Sequence, residues 1–194
     1  MNKTVLVVGL GNSGKQYDGS RHNIGFASVD AFANSQEFEP WTDKKDLKCL
    51  LTSKVLGDTR VLIIKPTTFM NLSGEAVQKA THFYKIPVQD VIVVHDELDV
   101  AFGQIRTRVG GGSAGNNGIK SLIQHVGPDF NRVRVGIGPA QDKMDSADFV
   151  LAKFSKEEKA HIPALTKEVI SILTEYIFSN QLPHDTRQVI DITP

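Results

Sequence analysis

Short unbroken apolar runs punctuate the chain, and between them apolar positions recur at helical spacing. Val5–Gly9 is one such run, entering a glycine-rich turn, and Val91–Val94 is another. Runs this short with no polar alternation predict strands buried on both faces, as in the centre of a parallel sheet. Leu47–Val55 and Arg60–Lys65 predict two more strands, joined as a hairpin at Leu56-Gly57-Asp58-Thr59 and ended by Pro66. Gln104–Val109 and Arg132–Gly138 complete the strand set. The spacing predicts a helix from Ile24 to Phe38, with Phe26, Val29, Ala33 and nearby Ala31 and Phe32 on its apolar side. A second helix is predicted from Asn71 to Tyr84, with Leu72, Ala76, Ala80 and Phe83 on its stripe, and a short third over Asn117–Val126. Ser155–Glu158 has the S-x-x-E form of a capping box. The helix it opens, or one restarted at Pro163, sets Leu165, Val169, Ile172, Leu173, Tyr176 and Ile177 on one face.

Strands alternating with helices predict an α/β fold with a largely parallel or mixed sheet. No repeat, linker or shift of composition divides residues 1–194, so a single domain is expected. The segment 163–178 fits either a packed core helix or a lid beside a cleft. From Pro183 onward polar and apolar residues mix without a period, and a poorly ordered tail is expected.

Composition narrows the classes. At 194 residues a domain buries roughly 70% of its unfolded surface and needs no covalent staple. Lys plus Arg and Asp plus Glu stand at 22 each, so any attraction for a charged partner must come from a local patch. The only cysteine, Cys49, excludes an internal disulfide and a multi-cysteine zinc site, and fits a reducing compartment. No apolar run approaches the ~18 residues of a membrane span, and the start of the chain lacks the apolar core of a signal peptide. A cytoplasmic protein without a membrane partner is expected.

Two phosphate-binding patterns overlap at the first turn. Gly9-Leu10-Gly11-Asn12-Ser13-Gly14 fits G-x-G-x-x-G, which works only where a helix opens at the turn and meets the pyrophosphate. Asp18-Gly19-Ser20 interrupts any such helix. Gly9 to Lys15 also nearly fits a P-loop, but Gln16 stands where a hydroxyl must reach magnesium. Magnesium-dependent ATP binding would separate a nucleotidase from the reading below.

Candidate chemistry gathers at the ends of elements. His22 lies just before a helix start, and Asp96 follows the apolar strand 91–94, at the carboxyl end where open α/β sheets place their crevice. Asn12 is in the first turn, Asn71 at a helix start and Asn117 at the end of the second glycine-rich loop. An imidazole oriented by a carboxylate can take a proton from water near neutral pH, and amides can donate to a developing oxyanion without adding charge. There is no G-x-S-x-G nucleophile elbow, and Cys49 lies in a strand, so direct attack by water is expected. Each residue has a plainer use as well: Asn71 and Ser73 as helix caps, Asn12 and Asn117 as turn formers, Asp96 as a cap or structural partner, His22 as a core histidine bonded to backbone. His95-Asp96-Glu97 with Asp99 could suggest a metal site, but neighbours on a strand point opposite ways, and no metal or cofactor is expected.

Taken together, these stretches resemble the bacterial-type peptidyl-tRNA hydrolase family. The resemblance rests on Gly9–Gly14 with Tyr17 and Arg21-His22-Asn23-Ile24-Gly25, on Lys65 to Gly74, and on His95 to Asp99. It continues through Gly110-Gly111-Gly112 into Asn117-Gly118-Ile119-Lys120-Ser121, and through Arg132 to Gly138, so ordered blocks run from residue 5 to about residue 154. It implies a monomeric α/β fold with a mixed twisted sheet surrounded by helices. It implies hydrolysis of the ester between a peptide and the 3′-terminal ribose of tRNA, without metal. By position His22 matches the family's base and Asp96 its partner, while Asn12, Asn71 and Asn117 match its site asparagines. Tyr17 and Met70 match residues lining its cleft, and Arg108 and Arg134 its basic residues for tRNA phosphate. Ser13 stands where proline is usual, Ser20 where threonine is common, and Asn116 where a histidine usually precedes the site asparagine.

A neutral chain that binds RNA needs a local basic surface. Between Gly103 and Val135, five basic residues face one acidic residue, Asp129, a local net charge of +4. Arg106 with Arg108, and Arg132 with Arg134, are two apart on strands, so each pair shares a face. The guanidinium fork suits phosphate, and phosphate contacts position RNA without reading its sequence. The same arginines would equally serve as a solvated strand face. A non-catalytic RNA-binding module is the competing class, and ester cleavage would exclude it.

Overall fold

The computed structural model describes residues 3–140 and 144–191. Its strands are β1 (Lys3–Gly9), β2 (Thr42–Lys44), β3 (Cys49–Leu56), β4 (Thr59–Pro66), β5 (Val91–Ala101), β6 (Gln104–Val109), β7 (Asn131–Gly138) and β8 (Asp185–Gln188). Its α-helices are α1 (Ile24–Ser35), α2 (Ser73–Tyr84), α3 (Asn117–Val126), α4 (Ser146–Leu151) and α5 (Lys156–Ser179). The strands form one mixed sheet in the order β2-β3-β4-β1-β5-β7-β6-β8. The four central strands β4, β1, β5 and β7 run parallel, and the flanking strands are antiparallel.

The apolar runs occupy the centre because both faces of the sheet are covered. Val5 and Val7 point into a core shared with Val29 and Phe32 of α1 and with Leu165, Val169 and Leu173 of α5. Their neighbours Leu6 and Val8 point the other way, to Ala76 and Val77 of α2 and Leu122 of α3. Strand residues alternate sides, so a strand that feeds two helical layers must be apolar at every position.

Several expectations need correction. The first helix stops at Ser35, not Phe38, and Phe26 is only half-buried. The second helix begins at Ser73 after a 3₁₀ turn over Met70–Leu72; Leu72 and Phe83 are exposed, and Val77 joins the buried stripe instead. The capping box forms, and α5 runs unbroken through Pro163, so no second helix restarts there. The stripe of α5 is packed core. Within the described residues the tail does not fray: β8 pairs antiparallel with β6, setting Ile105 opposite Arg187 and Thr107 opposite Asp185. Arg187 anchors it with ion pairs to Glu168 at 2.6 Å and Glu175 at 2.7 Å on α5. β2 and α4 had no expectation behind them.

Candidate active site

Parallel strands present their carboxyl ends on one side of the sheet, and the order reverses at β1, with β4 on one side and β5 on the other. Open α/β sheets build ligand crevices at such a point. Leu10, just past β1, donates its N–H to Val94 of β5 at 3.0 Å. The start of α1 presses onto the same spot. A Cβ on Gly25 would lie 2.4 Å from the Val94 carbonyl oxygen and 2.5 Å from that of Leu10, so only glycine permits the approach. No phosphate-binding helix opens at the first turn; Lys15–Tyr17 and Arg21–Asn23 are separate 3₁₀ turns before α1, and this removes the G-x-G-x-x-G reading.

That approach sets His22, in the second 3₁₀ turn, against Asp96 of β5. His22 Nδ1 lies 2.7 Å from Asp96 Oδ2, and both side chains are buried. A carboxylate only accepts, so Nδ1 carries the proton and Nε2 keeps a lone pair. His22, Asp96, Glu97, Asn116 and Asn117 line a cleft of about 390 Å³, with Asp145, Ser146, Ala147 and Val150 on its other wall. Arg21 ties that wall to the His22 turn. Its guanidinium donates to Lys153 O at 3.1 Å and Glu158 at 2.7 Å, and stacks 4.2 Å from the Phe149 ring centre.

The asparagines divide by role. Asn23 bonds the backbone of Asn12 at both ends, accepting from its N–H at 2.8 Å and donating to its carbonyl at 3.0 Å. Asn12 Oδ1 accepts the Met70 N–H at 2.8 Å, which leaves its Nδ2 as the free donor. Met70 in turn packs on α3: a Cβ on Gly118 would sit 2.5 Å from its sulfur. Asn71 is exposed and does not cap α2, whose N-terminal cap residue is Leu72. Asn117 is exposed at the cleft, while the cap of α3 is Asn116. His22, Asp96 and Asn117 thus share the cleft, and Asn12 and Met70 are bonded to each other. Asn12, Met70, Asn71 and the half-buried Tyr17 are not among the residues lining it.

Asn23, Arg21, Asn116 and Glu97 were not singled out from the sequence as site residues. Arg21 and Asn23 stand in the S-R-H-N run around His22, Asn116 shows only as a departure from the family pattern, and Glu97 only in the run His95–Asp99. Burial raises the Glu97 carboxyl, which faces the cleft beside Asp96. His95 turns away: its Nδ1 donates to the Asp96 carbonyl at 2.7 Å, and burial lowers its pKa to about 4, so it is neutral. Among the described residues no three His, Cys, Asp or Glu side chains are grouped to share a metal ion.

The basic strands form a second concavity of about 520 Å³, lined by Arg106, Arg108 and Arg134 with His184, Asp185 and Thr186 of the C-terminal segment. In the β6–β7 register Arg106 pairs with Arg134 and Arg108 with Arg132, which puts all four on one face. Arg134 stands opposite His95 of β5 and lies near enough to the Glu97 carboxylate, which lines the cleft, to interact with its charge. Arg132 departs from the expected phosphate face. It is buried and donates to the carbonyls of Gly111 at 2.6 Å, Gly112, and Pro128 at 3.3 Å, holding the glycine loop that leads to Asn117.

Known proteins are similar to this chain over most of its length. The family model described as "Peptidyl-tRNA hydrolase" matches residues 6–191. A peptidyl-tRNA hydrolase of Paracoccus denitrificans is 46% identical over 164 residues, 84% of this chain and 69% of that protein. One from Bartonella henselae is 39% identical over 91% of this chain and 90% of its own length. The crystal structure of peptidyl-tRNA hydrolase from Acinetobacter baumannii superposes with a TM-score of 0.86 at 31% identity, covering 93% of this chain and 91% of that one.

Proposed function

Because the chain belongs to the peptidyl-tRNA hydrolase family and hydrolyses peptidyl-tRNA, we propose that His22, oriented by Asp96, is the general base of that reaction. The observation that carries this is the buried 2.7 Å contact between His22 Nδ1 and Asp96 Oδ2, which leaves Nε2 as the one basic nitrogen of the ring. Nε2 takes a proton from water as the water oxygen attacks the ester carbonyl carbon. The imidazolium, stabilised by the Asp96 carboxylate, returns that proton to the departing ribose oxygen as the tetrahedral intermediate collapses. The products are a tRNA with a free 3′-terminal hydroxyl and a peptide carboxylic acid, which releases its proton to solvent as it leaves as the carboxylate.

Asn12 offers its Nδ2 to the oxyanion or to a peptide carbonyl. Asn71 engages the peptide backbone, and Asn117 holds the tRNA 3′ end or the water. Tyr17 and Met70 flank the peptide, and Arg108 and Arg134 take tRNA phosphate. No metal or other cofactor takes part. The chain acts as a cytoplasmic monomer; no described helix is long and apolar enough to cross a membrane.

The test is release of N-acetyl-amino acid from N-acetyl-aminoacyl-tRNA in EDTA. His22→Ala should lower kcat by about 10²–10⁴-fold, the range for loss of a general base, with Asp96→Ala in the same range. A His22→Ala protein that turns over at the wild-type rate overturns the assignment.

A further inference from the structure

Asp96 has two carboxylate oxygens, and His22 uses only one. The other, Oδ1, receives a hydrogen bond from Asn116 Nδ2 at 3.1 Å, and the same nitrogen donates to the Asp96 carbonyl at 3.1 Å. At its other end, Asn116 Oδ1 accepts the Ile119 N–H at 3.0 Å and so caps α3. These contacts fix which end of the amide is which, since a flip would set amide hydrogens against an N–H and oxygen against a carboxylate. An asparagine carries two side-chain N–H bonds, and both are spent on Asp96. Asn116 is also buried. It therefore has no donor left for a substrate, in contrast to its exposed neighbour Asn117.

We infer that Asn116 is a positioning residue, the third member of a His22–Asp96–Asn116 chain, acting on the reaction through the orientation of Asp96 and not through contact with tRNA. The inference rests on the assignment of His22 and Asp96 as the reactive pair. A carboxylate held by a single contact can turn about its side-chain torsion and let the imidazole swing. Asn116 bonds the carboxylate and the carbonyl of the same residue, which fixes that torsion. The start of α3 is thereby bolted to the middle of β5, and Asn117 is set at the cleft beside the pair.

Asn116→Ser separates this role from capping. Serine caps α3 about as well, but its hydroxyl is too short to span to Asp96. With N-acetyl-aminoacyl-tRNA, kcat should fall about 10- to 100-fold, as expected for loss of a hydrogen bond to a charged group, with KM within about twofold. Introduced into Asp96→Ala, the same substitution should change kcat by less than about twofold, because the group it acts through is gone. Asn116→Asp keeps size and cap but turns an oxygen on Asp96, and should lower kcat at least as far. A wild-type kcat in Asn116→Ser overturns the inference, as does a raised KM with kcat intact, or an equal loss in both backgrounds. A wild-type rate in Asp96→Ala would instead overturn the reactive pair itself, and the inference with it.

Discussion

His95 stands one residue before Asp96 and is fully buried, yet the proposed chemistry has no use for it. Its Nδ1 proton goes to the Asp96 carbonyl, and its Nε2 has no partner, so charging the ring would strand a proton in the core. Burial accordingly lowers its pKa to about 4. An unfolded histidine titrates near ~6.5, so between these values the unfolded chain binds the extra proton. Stability from this residue is intact above that range and is lost as pH falls, by about 2 kcal/mol at pH 5. Glu97, raised by burial, contributes in the opposite sense, so the effect is read as a difference between proteins. Urea unfolding at pH 7.5 and pH 5 should show the loss in wild type and a clearly flatter response in His95→Asn; equal slopes would remove His95 as the cause. At this scale the sequence was legible where a residue's place in its own element sets its use. His22 before a helix could be read that way; Asp96 was expected just past a strand ending at Val94, but β5 continues to Ala101 and Asp96 lies within it, beyond the end of its pairing with β1. Asn23 and Asn116 could not be read that way, because their hydrogen bonds reach residues 11 and 20 positions away.

The arginines of β6 and β7 show how far an element can be read. Period two correctly put Arg106 with Arg108 and Arg132 with Arg134 on shared faces, and the antiparallel register made those faces one. What the period could not show is that the glycine loop folds back over Arg132. Burial lowers the Arg132 guanidinium to about 10, still charged near neutrality, and backbone carbonyls satisfy it. That leaves Arg134 and the exposed Arg108 as the pair proposed to meet phosphate. Each should release counterions on binding, so Arg134→Ala should weaken tRNA binding and flatten its log–log salt dependence by roughly 0.7–0.9. Arg132→Ala should leave that slope alone and cost about 1–3 kcal/mol of stability by uncoupling the loop. A salt slope reduced equally in both would return Arg132 to the binding face. The S-x-x-E cap of α5 was legible because it is wholly local, whereas the buried stripe of α2 was misjudged because its facing α3 selects Val77 over Leu72 and Phe83.

For the molecule as a whole, the alternation of apolar runs and helices was enough for an α/β fold with a largely parallel or mixed sheet, and the family resemblance implied the mixed sheet with helices around it that the fold shows. The last strand was hidden, because β8 has the sequence Asp-Thr-Arg-Gln and is held by polar contacts rather than by an apolar face. Besides the Arg187 ion pairs, Thr107 donates its hydroxyl to the Pro183 carbonyl at 2.6 Å, and His184 Nε2 accepts the Val109 N–H at 3.2 Å. The strand closes the edge of β6, which would otherwise offer unpaired N–H and C=O groups to other chains. A chain ended after Leu182 should therefore melt lower, by roughly 5 °C at ~2–4 °C per kcal/mol lost, and should associate with rising concentration. Its hydrolysis of a small N-acyl-aminoacyl ester should be unchanged, since the cleft is lined from the His22 turn, β5, the glycine loop, α3 and α4. Binding of tRNA should not weaken, because the lost segment brings the acidic Asp185 to the arginine concavity. If kcat on the small ester fell together with Tm, β8 would have to act on the cleft through β6 and β7, whose Val135 pairs with Asp96. The edge would then be part of what holds the carboxylate in place.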